Sequence, residues 1–284
     1  MIRTFSSSLL AVPLLVLAVG CAPTLQAQDR QPVAAAAQPT FVDLVELAEA
    51  AELVLQVQVR RQAEVRAERA PGLAPGHARL FVEAETERLV AGTVPVGEEL
   101  RYLVDLPLDA RGRVPGFRGE SVLLFARTVP GKPGELQLVA PGAQFLATPE
   151  LDARLRPVLQ ATLAPNKPPV VTGIADVLSI PGNLAGESET QLFLRTASDA
   201  PASITVIRRP GQPPRWGVSW SELVDQSARP PARDTIGWQR LACGLPETLP
   251  PDANLARNPS AQRQAAEDYQ LVRRELGACE RTLR

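Results

Sequence analysis

Residues 51–60, AELVLQVQVR, decide the fold. Leu53, Leu55, Val57 and Val59 alternate with Val54, Gln56, Gln58 and Arg60. A period of two with one wet face is the pattern of a half-buried strand. Just before it, residues 40–52 carry a helical period: Phe41, Leu44, Val45 and Ala48 recur behind Thr40, a side chain suited to the N-cap. Downstream the period of two returns. Residues 78–89 place Leu80, Val82 and Ala84 on one face and Arg79, Phe81, Glu83 and Glu85 on the other. Leu100, Tyr102, Val104 and Leu106 share the face of a third strand, which Pro107 stops because proline cannot donate to the ladder. Residues 121–127 are apolar on both faces and predict a central strand, and residues 136–139 a fifth after a Pro/Gly turn at 130–134. A helix then starts at Thr148-Pro149-Glu150, with Leu151, Leu155, Val158 and Leu159 as its stripe. Pro157 predicts a kink or an end near Arg156. Five short strands between two helices predict a small closed barrel, which removes exposed edges.

Three stretches of this half, AEAAELVLQVQV, ARLFVEAETERLVAG and GFRGESVLLFAR, resemble the OB-type barrel of netrin and tissue metalloprotease inhibitor modules. The counterparts of that family's strand signals are Ala51-Glu52-Leu53-Val54, Leu89-Val90-Ala91-Gly92, and Gly119 with residues 122–126. The resemblance covers about residues 41–140 and implies a fold, not an activity. Inhibitory members use a free N-terminal cysteine in a Cys-x-Cys motif. This chain has no such motif, so their chemistry does not carry over.

Pro165-Asn166-Lys167-Pro168-Pro169 is a stiff linker that divides an OB-like barrel domain, 40–164, from a second module, 165–284. Strands resume at 170–178. Thr190, Leu192, Leu194 and Thr196 mark the next, 203–208 a third, and Trp216, Val218 and Trp220 one face of a fourth. Asp234 is the expected N-cap of a short helix ending near Cys243-Gly244. Asn258 and Pro259 open the clearest helix of the chain, whose stripe steps through Ala265, Tyr269, Val272, Leu276, Cys279 and Leu283. The expected fold class is mainly β with flanking helices (α+β): an OB-like five-stranded barrel, a smaller antiparallel module and a C-terminal helix.

Residues 1–27 read as an export signal. Arg3 supplies the charge, and residues 9–19 form an apolar run too short to span a bilayer. Two cleavage readings stand. Ala18-Val19-Gly20-Cys21 resembles the lipobox of bacterial lipoproteins, with Cys21 receiving the lipid. The other cut falls after Ala27 and leaves a soluble periplasmic protein. Residues 22–39 are an Ala/Pro/Gln-rich tether. Either way the expected location is the periplasm, anchored to the outer membrane in the first reading.

Three cysteines fit this route. With Cys21 lipidated or removed, Cys243 and Cys279 remain as an even pair in an oxidising compartment. They read as a disulfide, with two buried free thiols as the alternative. Closing the long loop between them stabilises by roughly 4 kcal/mol in the chain-entropy model and requires Cα atoms within about 7 Å.

Lys+Arg number 30 against Asp+Glu 31, a formal net charge of −1, so no basic field gathers nucleic acid. The chain has one histidine, His77, in a Gly/Pro loop with neither nucleophile nor orienting carboxylate near in sequence. GxGxxG, GxxxxGKS/T and GxSxG patterns are absent. Glu83, Glu85 and Glu87 share a strand face, with Glu98 and Glu99 close behind, but lack the Asp, Asn and Gly of a calcium loop. Ser219 and Ser221 precede Glu222 and Asp225 with no base nearby. The strongest binding candidates are Arg208, Arg209 and Arg215 flanking a turn that leads into Trp216 and Trp220, since arginine beside tryptophan holds anions, sugars or carboxylates. Core packing of the tryptophans is the plainer reading. The expectation is a non-catalytic envelope protein without cofactor or metal. It would bind an envelope protein or polymer, with no nucleic acid and no membrane contact beyond a lipid anchor. An envelope hydrolase using a carboxylate pair and a protease inhibitor by fold analogy are the alternatives.

Overall fold

A computed structural model of the chain describes residues 38–223 and 227–283. The export signal, Cys21, the tether as far as residue 37, and Asp225 lie outside the described residues. The barrel half runs α1 (Phe41–Ala50), β1 (Leu53–Glu64), β2 (His77–Ala91), β3 (Glu99–Pro107), β4 (Ser121–Thr128), β5 (Glu135–Leu138), β6 (Gln144–Leu146) and α2 (Pro149–Thr162). The second half runs β7 (Val171–Pro181), β8 (Ser188–Thr196), β9 (Ser203–Arg208), β10 (Arg215–Ser219), α3 (Ile236–Gly244) and α4 (Pro259–Leu276).

Five strands close in the order β1-β2-β3-β5-β4 and back to β1. The β3–β5 pair is parallel and the others antiparallel, giving a mixed OB-like barrel. β1 pairs with β2 on one edge and β4 on the other, and its ladder to β2 shifts register at three places. Such bulges tighten the local twist that closure requires. The alternation drives burial: Leu55, Val57, Val59, Leu80, Val82, Leu100, Tyr102 and Val104 point inward. Residues 122–126 are buried on both faces, because β4 sits between β1 and β5 and under α1. β6, unanticipated in the sequence, adds three residues along the first half of β4, too few for a period to show. Within the core, Tyr102 Oη donates to Gln144 Oε1 at 2.7 Å, and burial raises the phenol's pKa far above its ordinary value.

Helix α1 opens with a capping box: Asp43 N donates to Thr40 Oγ1, and Thr40 N donates to Asp43 Oδ2 at 2.8 Å. Helix α2 does not end near Arg156. It continues to Thr162, because Pro157 lies on the exposed side while Leu151, Leu155, Val158 and Leu159 keep an unbroken buried stripe.

The second module is a four-stranded antiparallel meander, β10-β9-β8-β7. Val177, Leu192, Ile204 and Val206 pack with Leu241 of α3 and Ala265, Tyr269 and Val272 of α4. Two sequence expectations are corrected here. Thr235, not Asp234, caps α3: its side chain accepts from Trp238 N, while Asp234 takes a left-handed φ of 57°. The last helix ends at Leu276, because Gly277 turns at φ 72°, so Cys279 and Leu283 lie beyond it.

Cys243 and Cys279 are bonded, with Cα atoms 5.1 Å apart. The residues after Cys279 return to the barrel. Thr282 N and Oγ1 donate to Asp43 Oδ2 at 3.1 and 2.6 Å, Leu283 N donates to Asp43 Oδ1 at 3.2 Å, and Arg281 grips Glu46 with both Nε and Nη2. A second tie joins α1 to α3: Arg240, 4% exposed, donates to Glu49 Oε2 and Oε1 at 2.9 and 2.5 Å. Lys167 Nζ stands 3.3 Å from the same carboxylate. All described residues fall in one compact unit, 33–284. Among them, no helix is long and apolar enough to cross a membrane.

Candidate binding face

Side chains of neighbouring antiparallel strands meet across the ladder, so the register decides what the outside of the barrel presents. With Leu80, Val82, Tyr102 and Val104 inward, the residues between them face out. The register pairs Arg79 with Asp105, Phe81 with Leu103, and Glu83 with Arg101, and it places Ala63 and Arg61 of β1 beside Phe81 and Glu83. An apolar stripe, Ala63–Phe81–Leu103, therefore crosses three strands between two charged rows.

The two large members of the stripe stay open to solvent, Phe81 at 37% and Leu103 at 49% exposure. The row on one side is fixed. Arg79 Nε and Nη2 donate to Asp105 Oδ1 and Oδ2 at 2.6 and 2.8 Å, a forked pair that holds both side chains in place. On the other side Arg61 stands 3.8 Å from Glu83, and Arg60 pairs with Glu85. Beyond Leu103 the barrel wall parts. The β3–β5 register ends at Tyr102–Leu136, and the next bridge is Asp105 N to Pro141 O at 2.8 Å. The gap is a groove of about 650 Å³ lined by Phe81, Leu103, Leu138, Val139 and Pro141, with Arg101 and Gln137 at its edge. An aromatic face, an aliphatic neighbour and pinned charges can hold an apolar side chain or the face of a sugar ring by contact.

The five residues singled out in the sequence do not share one surface. Arg208 Nε donates to Asp268 Oδ1 at 2.6 Å, and Asp268, 0% exposed, also accepts from Thr190 Oγ1 and Gln264 Nε2. Trp216 is buried, its indole donating to Glu275 Oε2 at 2.6 Å. Arg209 and Arg215 are exposed, and Trp220, past the end of β10, is half-buried against the second core. Strand alternation and the hairpin turn send the residues of this group to different sides. His77 opens β2 with Nδ1 3.1 Å from Pro75 O. Glu87 accepts from Gln56 Nε2 and Ser121 Oγ, both at 2.9 Å, so the glutamate face is a lattice of cross-strand pairs. Ser221 Oγ donates to Leu223 O at 3.4 Å. Among the described residues, no group of three His, Cys, Asp or Glu could hold a metal ion.

The sequence placed Phe81 on the outward face, but its pairing with Leu103 needs the register. The available signal was an apolar residue at an outward position of two consecutive strands. Comparison with known protein families and with curated proteins finds no match.

Proposed function

We propose that this chain is an exported, non-catalytic module of the cell envelope that binds an envelope protein or polymer through the outer face of β2 and β3. The observation that carries this reading is the Phe81–Leu103 stripe, exposed beside a groove, with the forked Arg79–Asp105 pair along one side and a charged row along the other. Five-stranded barrels of OB type bind ligands on the strand 2–3 face, and paired exposed apolar side chains favour contact with a partner. Within the same proposal the barrel is grouped with the netrin and metalloprotease-inhibitor kind on the sequence resemblance of residues 41–140, with which an OB-like strand order agrees. The chain is held at the membrane through a lipid on Cys21 or is free in the periplasm after cleavage past Ala27; membrane contact is confined to that anchor.

The test is photo-cross-linking in intact cells with a reactive residue at position 81, 103 or, as a control on the second module, 195. Positions 81 and 103 are expected to capture the same species and position 195 not to. Identical adducts from all three positions, or none from 81 and 103, would remove the β2–β3 face from consideration.

A further inference from the structure

A second groove, of about 690 Å³, lies where α1, α2, the linker and the first turn of α3 meet. Its floor is Leu44, Val158, Ile236 and Gly237, all buried, and Phe41 and Ala161 form half-buried walls. None of these six side chains carries a hydrogen-bonding group. Asn166, Thr235 and Asp234 also line the groove, and an alkyl chain can cover the apolar floor without leaving a donor or acceptor of its own unpaired.

The rim is different in kind. Arg154 and Lys167 are exposed there. Arg154 spends its hydrogen bonds on neutral oxygens, Gln38 Oε1 at 3.3 Å and Pro39 O at 2.6 Å. Lys167 donates to Thr162 O at 2.7 Å and stands 3.3 Å from Glu49, but that carboxylate is already held twice by Arg240. Against these two cations the lining offers one acid, Asp234. The first turn of α3 adds the partial positive charge of a helix N-terminus.

We propose that this groove binds a single alkyl chain bearing one anionic head group, a carboxylate or a phosphate, with the chain on the floor and the head between Arg154 and Lys167. The site is independent of the β2–β3 face. Its test is calorimetric titration of the purified exported protein, below micelle formation, with dodecanoate, dodecyl phosphate, dodecanol and dodecyltrimethylammonium. One dodecanoate or dodecyl phosphate is expected per chain, weakening as salt rises, with the ammonium compound bound at least about tenfold more weakly. Tighter binding of dodecanoate marks a carboxylate, and tighter binding of dodecyl phosphate a phosphate monoester, as the preferred head group. Ala161→Trp, which fills the groove, should abolish binding. Arg154→Glu, at an exposed position, should lower it about tenfold and remains decisive if the tryptophan variant does not fold. Phe81→Asp should leave it unchanged. Equal binding of the ammonium compound, or unaltered binding by Arg154→Glu, overturns the proposal.

Discussion

Removing the Glu49 carboxylate tests how the barrel and the second module are held together. Arg240 is nearly solvent-free, its side chain 3% exposed, while Glu49 is 22% exposed. Two charge-assisted bonds join them, at 2.9 and 2.5 Å. In Glu49→Ala, Arg240 keeps only neutral acceptors, Pro168 O at 3.2 Å and Gln239 Oε1 at 3.0 Å. Stranding one partner of a buried pair costs about 3–5 kcal/mol. Water that already reaches Glu49 places this site at the lower end, about 3 kcal/mol, a large share of the 5–15 kcal/mol typical of a whole domain. Replacing both partners, Glu49→Leu with Arg240→Met, should recover most of the loss, because no charge is left without an anion. The assay is equilibrium urea unfolding, with the midpoint falling and the slope unchanged in the single variant. A single variant within about 0.5 kcal/mol of wild type, or a double variant as unstable as the single, would refute the reasoning.

Acid should weaken the same junction. Burial raises the Glu49 and Asp43 pKa values, but hydrogen bonds outweigh it, from Arg240 with its charge and Lys167 in one case and from Thr282 and Thr40 in the other. Both carboxyls are held below their ordinary values, so their stabilisation is full above the usual carboxylate range and is lost as pH falls through the depressed folded values. Urea midpoints should therefore drop between neutral pH and about pH 3 by less in Glu49→Ala and Asp43→Asn than in wild type, and an equal drop in all three counts against it. Reduction of Cys243–Cys279 should expose the chain after Asn258 to protease before either β module is cut, and two freely alkylated thiols in the native exported protein would contradict the bond. If Cys21 carries lipid, Cys21→Ser should shift the protein from the membrane fraction to the soluble one and abolish fatty-acid labelling, whereas a soluble wild-type protein beginning at Gln28 would leave the periplasmic alternative.

Most strands could be read in advance because each buries one face. Leu55, Val57 and Val59, or Leu80, Val82 and Ala84, carry a period that water alone imposes. Failures fell where a local signal met a tertiary one. Pro157 would break an isolated helix, but its side of α2 faces solvent and the apolar stripe opposite holds the helix to the barrel. The heptad-like run through Cys279 and Leu283 suggested a longer helix, and the glycine between, Gly277, ended it. The binding residues were harder. Arg208 and Trp216 have the composition of a ligand site, yet Asp268 and Glu275, about sixty residues on, claim both. Partners at that distance in sequence leave no local trace. Phe81 and Leu103 have ordinary neighbours in sequence, and only the register between β2 and β3 makes them one stripe.

The junction itself follows from how α1 and α3 trade side chains. Ile236 of α3 is counted among the barrel's core residues, while Val42 of α1 packs into the core of the second module. Phe41 lies against Trp238 with ring centroids 6.3 Å apart, bridging the two. Each helix therefore buries part of its apolar surface in the other module's core and would expose it if the modules parted. Apolar contact alone tolerates sliding, because it has no direction. Directional restraint comes from the Arg240–Glu49 fork and from Asp43, which accepts from both ends of the described chain, Thr40 and Thr282. The disulfide links the segments that carry these two ties: Cys243 is on α3, three residues after Arg240, and Cys279 is three before Thr282. It thereby connects the helix that grips Glu49 with the tail that grips Asp43, and both grips fall on α1 within two turns of each other. A groove with an apolar floor and a basic rim is the space this arrangement leaves open beside the Arg240–Glu49 fork, where Phe41 and Leu44 of α1 meet α2 and the linker and Lys167 reaches both the groove and Glu49.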